Sequence, residues 1–184
     1  MADRRPKTLR DMALSLGLLA VVALVLVGMY GGVTFSPGGP SEGQTLTADV
    51  TGGLQRAAPL VGFPVIVPAT LPAGWQPNSF SFTEQPGSTA APPAARAGWL
   101  TEQGRFISVV QSRGAVADVL TAELGGVAPD IGTQRVADTV WTVTTGRRGE
   151  QAWYRTDGDV VLLITGTASA DDFRTLAATV PAAG

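Results

Sequence analysis

The sequence predicts an α+β fold: mainly an antiparallel sheet packed by two or three helices, preceded by one N-terminal transmembrane helix. Three observations carry this expectation. An uncharged run over residues 12–30 follows a basic cluster of Arg4, Arg5, Lys7 and Arg10. An Asp157-Gly158 pair separates the strand-like runs 151–156 and 159–166, a hairpin signal. The chain then closes on Ser169-Ala170-Asp171-Asp172-Phe173, a helix-start pattern, with Phe173, Leu176, Ala177 and Val180 on one stripe.

The leading segment is the most informative. A helix rises about 1.5 Å per residue, so an uncharged run extended to Gly32 reaches about 30 Å, the thickness of a bilayer's hydrocarbon core. A cleaved signal peptide has a shorter apolar region of about 7 to 15 residues and a small-x-small cleavage site, which Gly28-Met29-Tyr30 does not supply. Without cysteine there is no lipoprotein anchor. The basic residues precede the span and the next one is Arg56, so the positive-inside bias predicts a cytoplasmic N-terminus. The expected organisation is a cytoplasmic tail (1–11), a membrane helix (12–32), a flexible tether (33–46) and an extracytoplasmic domain (47–184). Gly28 with Gly32, and Ala13 with Gly17, have the small-xxx-small spacing that lets helices approach closely, a weak motif on its own. The tether rests on Ser36-Pro37-Gly38-Gly39-Pro40, which has no apolar surface to bury.

Within the outer domain, residues 49–59 read as a helix diluted by Gly52 and Gly53. Residues 63–68 read as a short strand, whose Pro64 and Pro68 suit an edge. Leu71-Pro72-Ala73-Gly74-Trp75 makes a turn that drops a tryptophan onto the core, and 78–84 is extended. A mobile loop is expected over 85–95. Strands 96–101 and 105–112 follow, joined by Glu102-Gln103-Gly104. The second strand is partly apolar on both faces, which predicts an interior strand covered on both sides, with helices over one face. Val116, Val119, Leu120 and Leu124 recur at helical spacing before Gly125-Gly126, predicting a helix over 115–124. Strands 134–136 and 139–145 precede the final hairpin. A type I′ turn at Asp157-Gly158 would set Thr156 opposite Asp159 and Tyr154 opposite Val161.

The chemistry is bounded by what is missing. Histidine and cysteine are absent, and the only lysine is Lys7. The outer domain therefore has no serine-histidine triad, thiol nucleophile, Schiff-base lysine or serine-lysine dyad, and no imidazole or thiolate metal site. Carboxylates remain. Asp157 with Asp159, and Asp171 with Asp172, are the closest pairs, but turn and cap chemistry already explain both. A calcium site at Asp157-Gly158-Asp159 lacks the EF-hand spacing and the ligand number. Arg147-Arg148 between Gly146 and Gly149 has the chemistry to hold a phosphate or carboxylate, but two arginines in a glycine-flanked loop are more often a solvated hairpin tip. Beyond residue 30, nine arginines face thirteen acids, net −4, which argues against nucleic acid as a partner. Trp75, Trp99 and Trp153 are expected in the core, and Trp141 the least so of the four. No catalytic, cofactor-binding or metal-binding residue is assigned, and no cofactor is implied.

Several segments together carry a resemblance. Arg10-Asp11-Met12 opens the span, and Phe63-Pro64-Val65 leads to Leu71-Pro72-Ala73-Gly74-Trp75. Gln151-Ala152-Trp153, Leu163-Ile164-Thr165-Gly166 and Asp172-Phe173-Arg174-Thr175-Leu176-Ala177 follow. Over nearly its whole length the chain resembles an actinobacterial family known only as a domain of unknown function. The resemblance implies a single-pass membrane protein with a small outer domain and no established catalytic residues. The expected function is a membrane-anchored binding module of the cell envelope. Its partners would be the lipid bilayer through 12–32 and another envelope protein or an apolar or glycan ligand. The alternative is an envelope glycan-acting hydrolase or transferase built on Asp and Glu. A deep cleft with two converging carboxylates would favour the enzyme, and an apolar cavity or patch the binding module.

Overall fold

A computed structural model describes residues 16–19, 48–84, 92–126 and 128–180. The chain divides into units 1–43 and 44–184, and the fold below is that of the second. Of the first, residues 16–19 are helical. The rest of the predicted span, the tail before it, the tether and residues 85–91 lie outside the described residues. Among those described, no helix is long and apolar enough to cross a membrane.

The domain is a seven-stranded antiparallel sheet with three helices. Helix α1 (Val50–Val61) precedes β1 (Gln76–Thr83), β2 (Ala94–Leu100) and β3 (Phe106–Arg113). Helix α2 (Val116–Leu124) crosses to β4 (Gly132–Val136), β5 (Thr139–Thr145), β6 (Gln151–Asp157) and β7 (Val160–Gly166), and α3 (Ala170–Ala178) closes the domain. The spatial order is β1-β2-β3-β7-β6-β5-β4. Two meanders are thus sewn together where β3 pairs with β7. The run Val160-Val161-Leu162-Leu163-Ile164 takes the central place because both of its faces are buried.

The pleat divides the core. Trp99, Ile107, Val109, Trp141, Trp153, Leu162 and Ile164 point to one face and join α1 and α3 in the larger apolar cluster. Ala94, Val110, Ala152 and Leu163 point to the other and meet Leu120 and Leu124 of α2. The expectation of helices over one face is therefore corrected. Strand β3 is apolar on both sides because helices lie on both.

Two of the helices are capped at their N-termini and two stop on a glycine. Asp49 caps α1 by accepting the Gly52 N–H at 2.9 Å, and Gly62 stops the helix with φ +76°, three residues past Pro59. A Cβ at Gly53 would meet the Phe80 ring at 2.6 Å, so the glycine that weakens the helix also lets it lie close on β1. Helix α2 stops at Gly125, φ +75°. Helix α3 has the full capping box between Ser169 and Asp172.

Three expectations change. Residues 63–68 form no strand: Pro64 and Pro68 have no N–H to give a ladder. Instead the fully buried Gln111 side chain accepts the Ile66 N–H at 2.7 Å and donates to the Ile66 carbonyl at 2.6 Å. The last hairpin closes one residue later than predicted, with Thr156 opposite Val161, Tyr154 opposite Leu163 and Asp157 opposite Val160. Gly158 takes the first loop position at φ +59° while Asp159 stays out of the left-handed region, the pattern of a type II′ turn. A type I′ turn at 157–158 would have forced Asp157 itself to positive φ. Finally, Ala94 and Ala95, expected in the loop, already belong to β2 and are buried. Their methyl groups fit where α1 and α2 press on the two faces of the sheet.

Candidate functional site

The candidate site is an apolar groove of about 490 Å³ between the first turns of α1 and the segment leading into β1. Leu54, Val67, Leu71, Trp75 and Trp99 form its walls, and Ala48 and Asp49 its rim. Trp75 is set by a turn in which its N–H donates to the Pro72 carbonyl at 3.0 Å. Trp99 comes from β2, where it pairs with Pro77 and Ile107. The outer wall is held by side chains of β3. Gln111 clamps Ile66, and Arg113 donates to the Gly62 carbonyl at 2.6 Å while its guanidinium lies 5.8 Å from the Phe63 ring centre. The one ionisable group on the rim is Asp49. Its carboxyl is held below the usual range by the Gly52 N–H and then by Arg56, 3.2 Å away.

A second depression of about 620 Å³, bordered by charged side chains, lies where β3 begins and β7 ends, where Phe106, Glu123, Arg148, Glu150 and Thr165 meet. Its carboxylates are already engaged. Glu123 of α2 receives the Arg96 guanidinium at 2.9 and 3.1 Å, and Glu150 accepts the Arg148 N–H at 2.9 Å. Arg147 and Arg148 are exposed at the β5–β6 tip. The Arg147 N–H donates to the Leu124 carbonyl at 3.1 Å, which sets the tip against the C-terminus of α2, where positive charge is favourable.

The acidic pairs singled out in the sequence are each bound up in structure. Asp157 and Asp159 both border a niche of about 170 Å³ floored by Ile66 and Leu162. Asp157 pairs with Arg155 at 3.2 Å and Asp159 with Arg113 at 2.7 Å. Asp172 completes the α3 cap, and Asp171 pairs with Arg174 at 2.7 Å. Among the described residues no three acidic side chains gather as a metal ion would require. Tyr154 donates its hydroxyl to Asp130 at 3.1 Å; partial burial and then that carboxylate push its pKa up.

All four tryptophans are buried, Trp141 completely. Its Nε1 donates to Thr139 at 3.1 Å, and Arg155 lies over its ring at 5.1 Å, so a residue least expected in the core is one of its anchors. Gln111, Arg113, Arg96 and Glu123 escaped sequence reading. Their partners are 13 to 51 residues away along the chain, and no local pattern announces such pairs.

No curated protein and no solved structure matches the chain. A family described as a protein of unknown function, DUF4245, matches residues 4–180, which takes in almost everything from the basic tail to the end of α3. The chain belongs to this family of unknown function, DUF4245.

Proposed function

We propose that the protein is a binding module of the cell envelope, anchored by residues 12–32 with its N-terminus cytoplasmic and its sheet domain outside. The observation that carries the binding half of this reading is the groove walled by Leu54, Val67, Leu71, Trp75 and Trp99. Lined mainly by apolar side chains, with Asp49 its single charged group, it suits an apolar chain or ring rather than a charged substrate. The anchor half rests on the uncharged run after Arg4, Arg5, Lys7 and Arg10. The two halves fit together. Fifteen residues, 33–47, lie between Gly32 and the Ala48 rim, and an extended chain of that length spans no more than about 60 Å. The alternative, a glycan-acting hydrolase or transferase, draws no support from Asp157, Asp159, Glu123 or Asp172, each committed to an arginine or a helix cap.

Two measurements test the reading. The full chain is expected to stay in membranes after alkaline carbonate washing and to lose its C-terminal domain to protease added outside intact cells. A brominated fatty acid is expected to quench tryptophan fluorescence saturably, and Leu71→Arg at the half-buried groove wall to abolish that quenching. Quenching that never saturates, or that survives Leu71→Arg, removes the groove as the binding site.

A further inference from the structure

We infer that the outer edge of β1 is a self-association site, which pairs antiparallel with β1 of a second copy across a two-fold axis at Ser81. No charged residue occurs from Ala57 to Thr83, a stretch that includes the end of α1, the segment packed on Gln111 and all of β1. Natural sheets protect an edge with charge, proline, a bulge, short length or a cover. The opposite edge has several of these: β4 is five residues long, includes Arg135, and its Gln134 is reached by Arg174 of α3. Strand β1 has Pro77 and an irregularity between Pro77 and Ser79, both at its beginning. From Ser79 to Thr83 it is regularly paired with β2 on one side, and among the described residues no strand pairs with the other.

The sequence of that open part is self-complementary. Ser79-Phe80-Ser81-Phe82-Thr83 reads nearly the same in both directions about Ser81. Antiparallel pairing centred there sets Phe80 opposite Phe82 of the second copy, Phe82 opposite its Phe80, and Ser79 opposite its Thr83. Aromatic pairs and hydroxyl pairs directly across strands are favourable, and no like charges meet. Phe80 and Phe82 lie on the face of α1, opposite Ala97 and Ala95, with ring centres 6.0 Å apart. Phe82 is 37% exposed, an aromatic ring left partly in water that a second pair of rings would cover. The contact is small. The eight residues of β1 compare with the roughly 20–30 a side of a standard stable interface, so the pair is weak between freely diffusing copies. Two chains anchored in one bilayer would meet at effective concentrations of about millimolar, enough to populate it. The pairing does not depend on the anchor, which sets only its strength.

The absence of cysteine makes the test direct. Ser81→Cys, at an exposed position, would bring two thiols opposite each other at a strand–strand spacing of about 4.5–5.5 Å between Cα atoms, within disulfide range. The full chain bearing Ser81→Cys, reconstituted in liposomes and oxidised, is expected to form covalent dimer at least tenfold faster than Thr133→Cys on the exposed β4 edge. Ser79→Cys and Thr83→Cys should cross-link when mixed and not separately. Ser81→Lys, which opposes two like charges, should abolish the mixed cross-link while leaving circular dichroism unchanged. Equal rates for Ser81→Cys and Thr133→Cys, or cross-linking by Ser79→Cys alone, overturn the proposal. Flotation with the liposomes reports the anchor separately, and the same cross-links run in solution at rising protein concentration test the edge if the chain does not float.

Discussion

The two faces of the sheet are held by different forces. One is covered by α1 and α3 over a continuous apolar cluster that includes all four tryptophans, Phe173 and Leu176. The other has only nine-residue α2, with Leu120 and Leu124 over Val110, Ala152 and Leu163. It is completed by directed polar contacts: Arg96 with Glu123, Tyr154 with Asp130, and the Thr144 hydroxyl on the Ala128 and Pro129 carbonyls at 3.2 Å. Area holds the first face, and geometry holds the second. The first should respond mainly to lost volume, the second to lost partners.

The sharpest way to break that contrast is to truncate one side chain on each face. Phe173 is fully buried, its ring centre 5.4 Å from that of Trp153, so Phe173→Ala leaves a cavity among large rigid rings that cannot collapse into it. The expected loss is about 3–5 kcal/mol in urea unfolding followed by tryptophan fluorescence. Leu120→Ala on the thin face should cost less, about 2–3 kcal/mol, because the short helix above it can settle inward. Equal losses would mean that the two faces form one mechanical unit.

Gln111 is a fully buried polar side chain on the apolar face, and its removal should rank next. Gln111→Met keeps the volume but strips the Ile66 N–H and carbonyl of their partner, an expected cost of about 1–3 kcal/mol. Ile66 is only half-buried, so water can repair part of the loss and the lower end of that range applies. Hydrogen exchange at Ile66 and proteolysis across residues 62–70 should both rise, since this clamp replaces the ladder those residues lack. Unchanged exchange at Ile66 would show that the prolines alone hold the segment.

This clamp also shows where sequence reading stops. The strands 139–145 and 151–166, the capping box at Ser169 and the α2 stop at Gly125 were all legible, because each is dictated by residues within a few positions of one another. Residues 63–68 have the apolar, β-branched look of a strand, and only the distant Gln111 tells that their hydrogen bonds go elsewhere. The shift of the last hairpin has a similar origin. Asp157-Gly158 and Gly158-Asp159 are both good turn pairs, and Asp157 stays in the strand beside Arg155 on the apolar face. The groove was not foreseen. Trp75 and Trp99 were expected in the core, and the contribution of Leu54 and Val67 depends on how α1 lies across the sheet.

On the polar face the test is a charge. Arg96 reaches Glu123 through a side chain 26% exposed against one 14% exposed, and also donates to Thr83 at 2.9 Å, so it ties α2 to β1 and β2 together. Arg96→Met strands a half-buried carboxylate. A fully buried pair broken in this way costs about 3–5 kcal/mol, and the partial exposure here brings the expected loss to about 1–2. Adding Glu123→Gln should recover much of it, and a double-mutant cycle measures the coupling. A loss that Glu123→Gln does not reduce would assign the effect to the packing of the arginine stem instead.

The smallest effects should separate the faces along the pH axis. Asp49, which caps α1 on the apolar face, has its carboxyl below the ordinary 3.8 because the Gly52 N–H and then Arg56 favour the charged form. A depressed carboxylate adds stability that is present above the ordinary value and is lost as pH falls through the folded one. Tyr154 on the polar face is shifted up from 10.0 by burial and by Asp130. A raised group adds stability that is present below pH 10 and is lost as pH rises through the folded value. Asp49→Asn, which keeps a capping oxygen, should flatten the acid limb of the stability profile and leave the alkaline limb alone. Tyr154→Phe should do the reverse, by less than about 1 kcal/mol, because one hydrogen bond to the exposed Asp130 carboxylate is at stake. The chain's only other tyrosine and its only lysine, Tyr30 and Lys7, both precede the sheet domain. An alkaline limb that persists in Tyr154→Phe would detach Tyr154 from the forces that hold the thinner face.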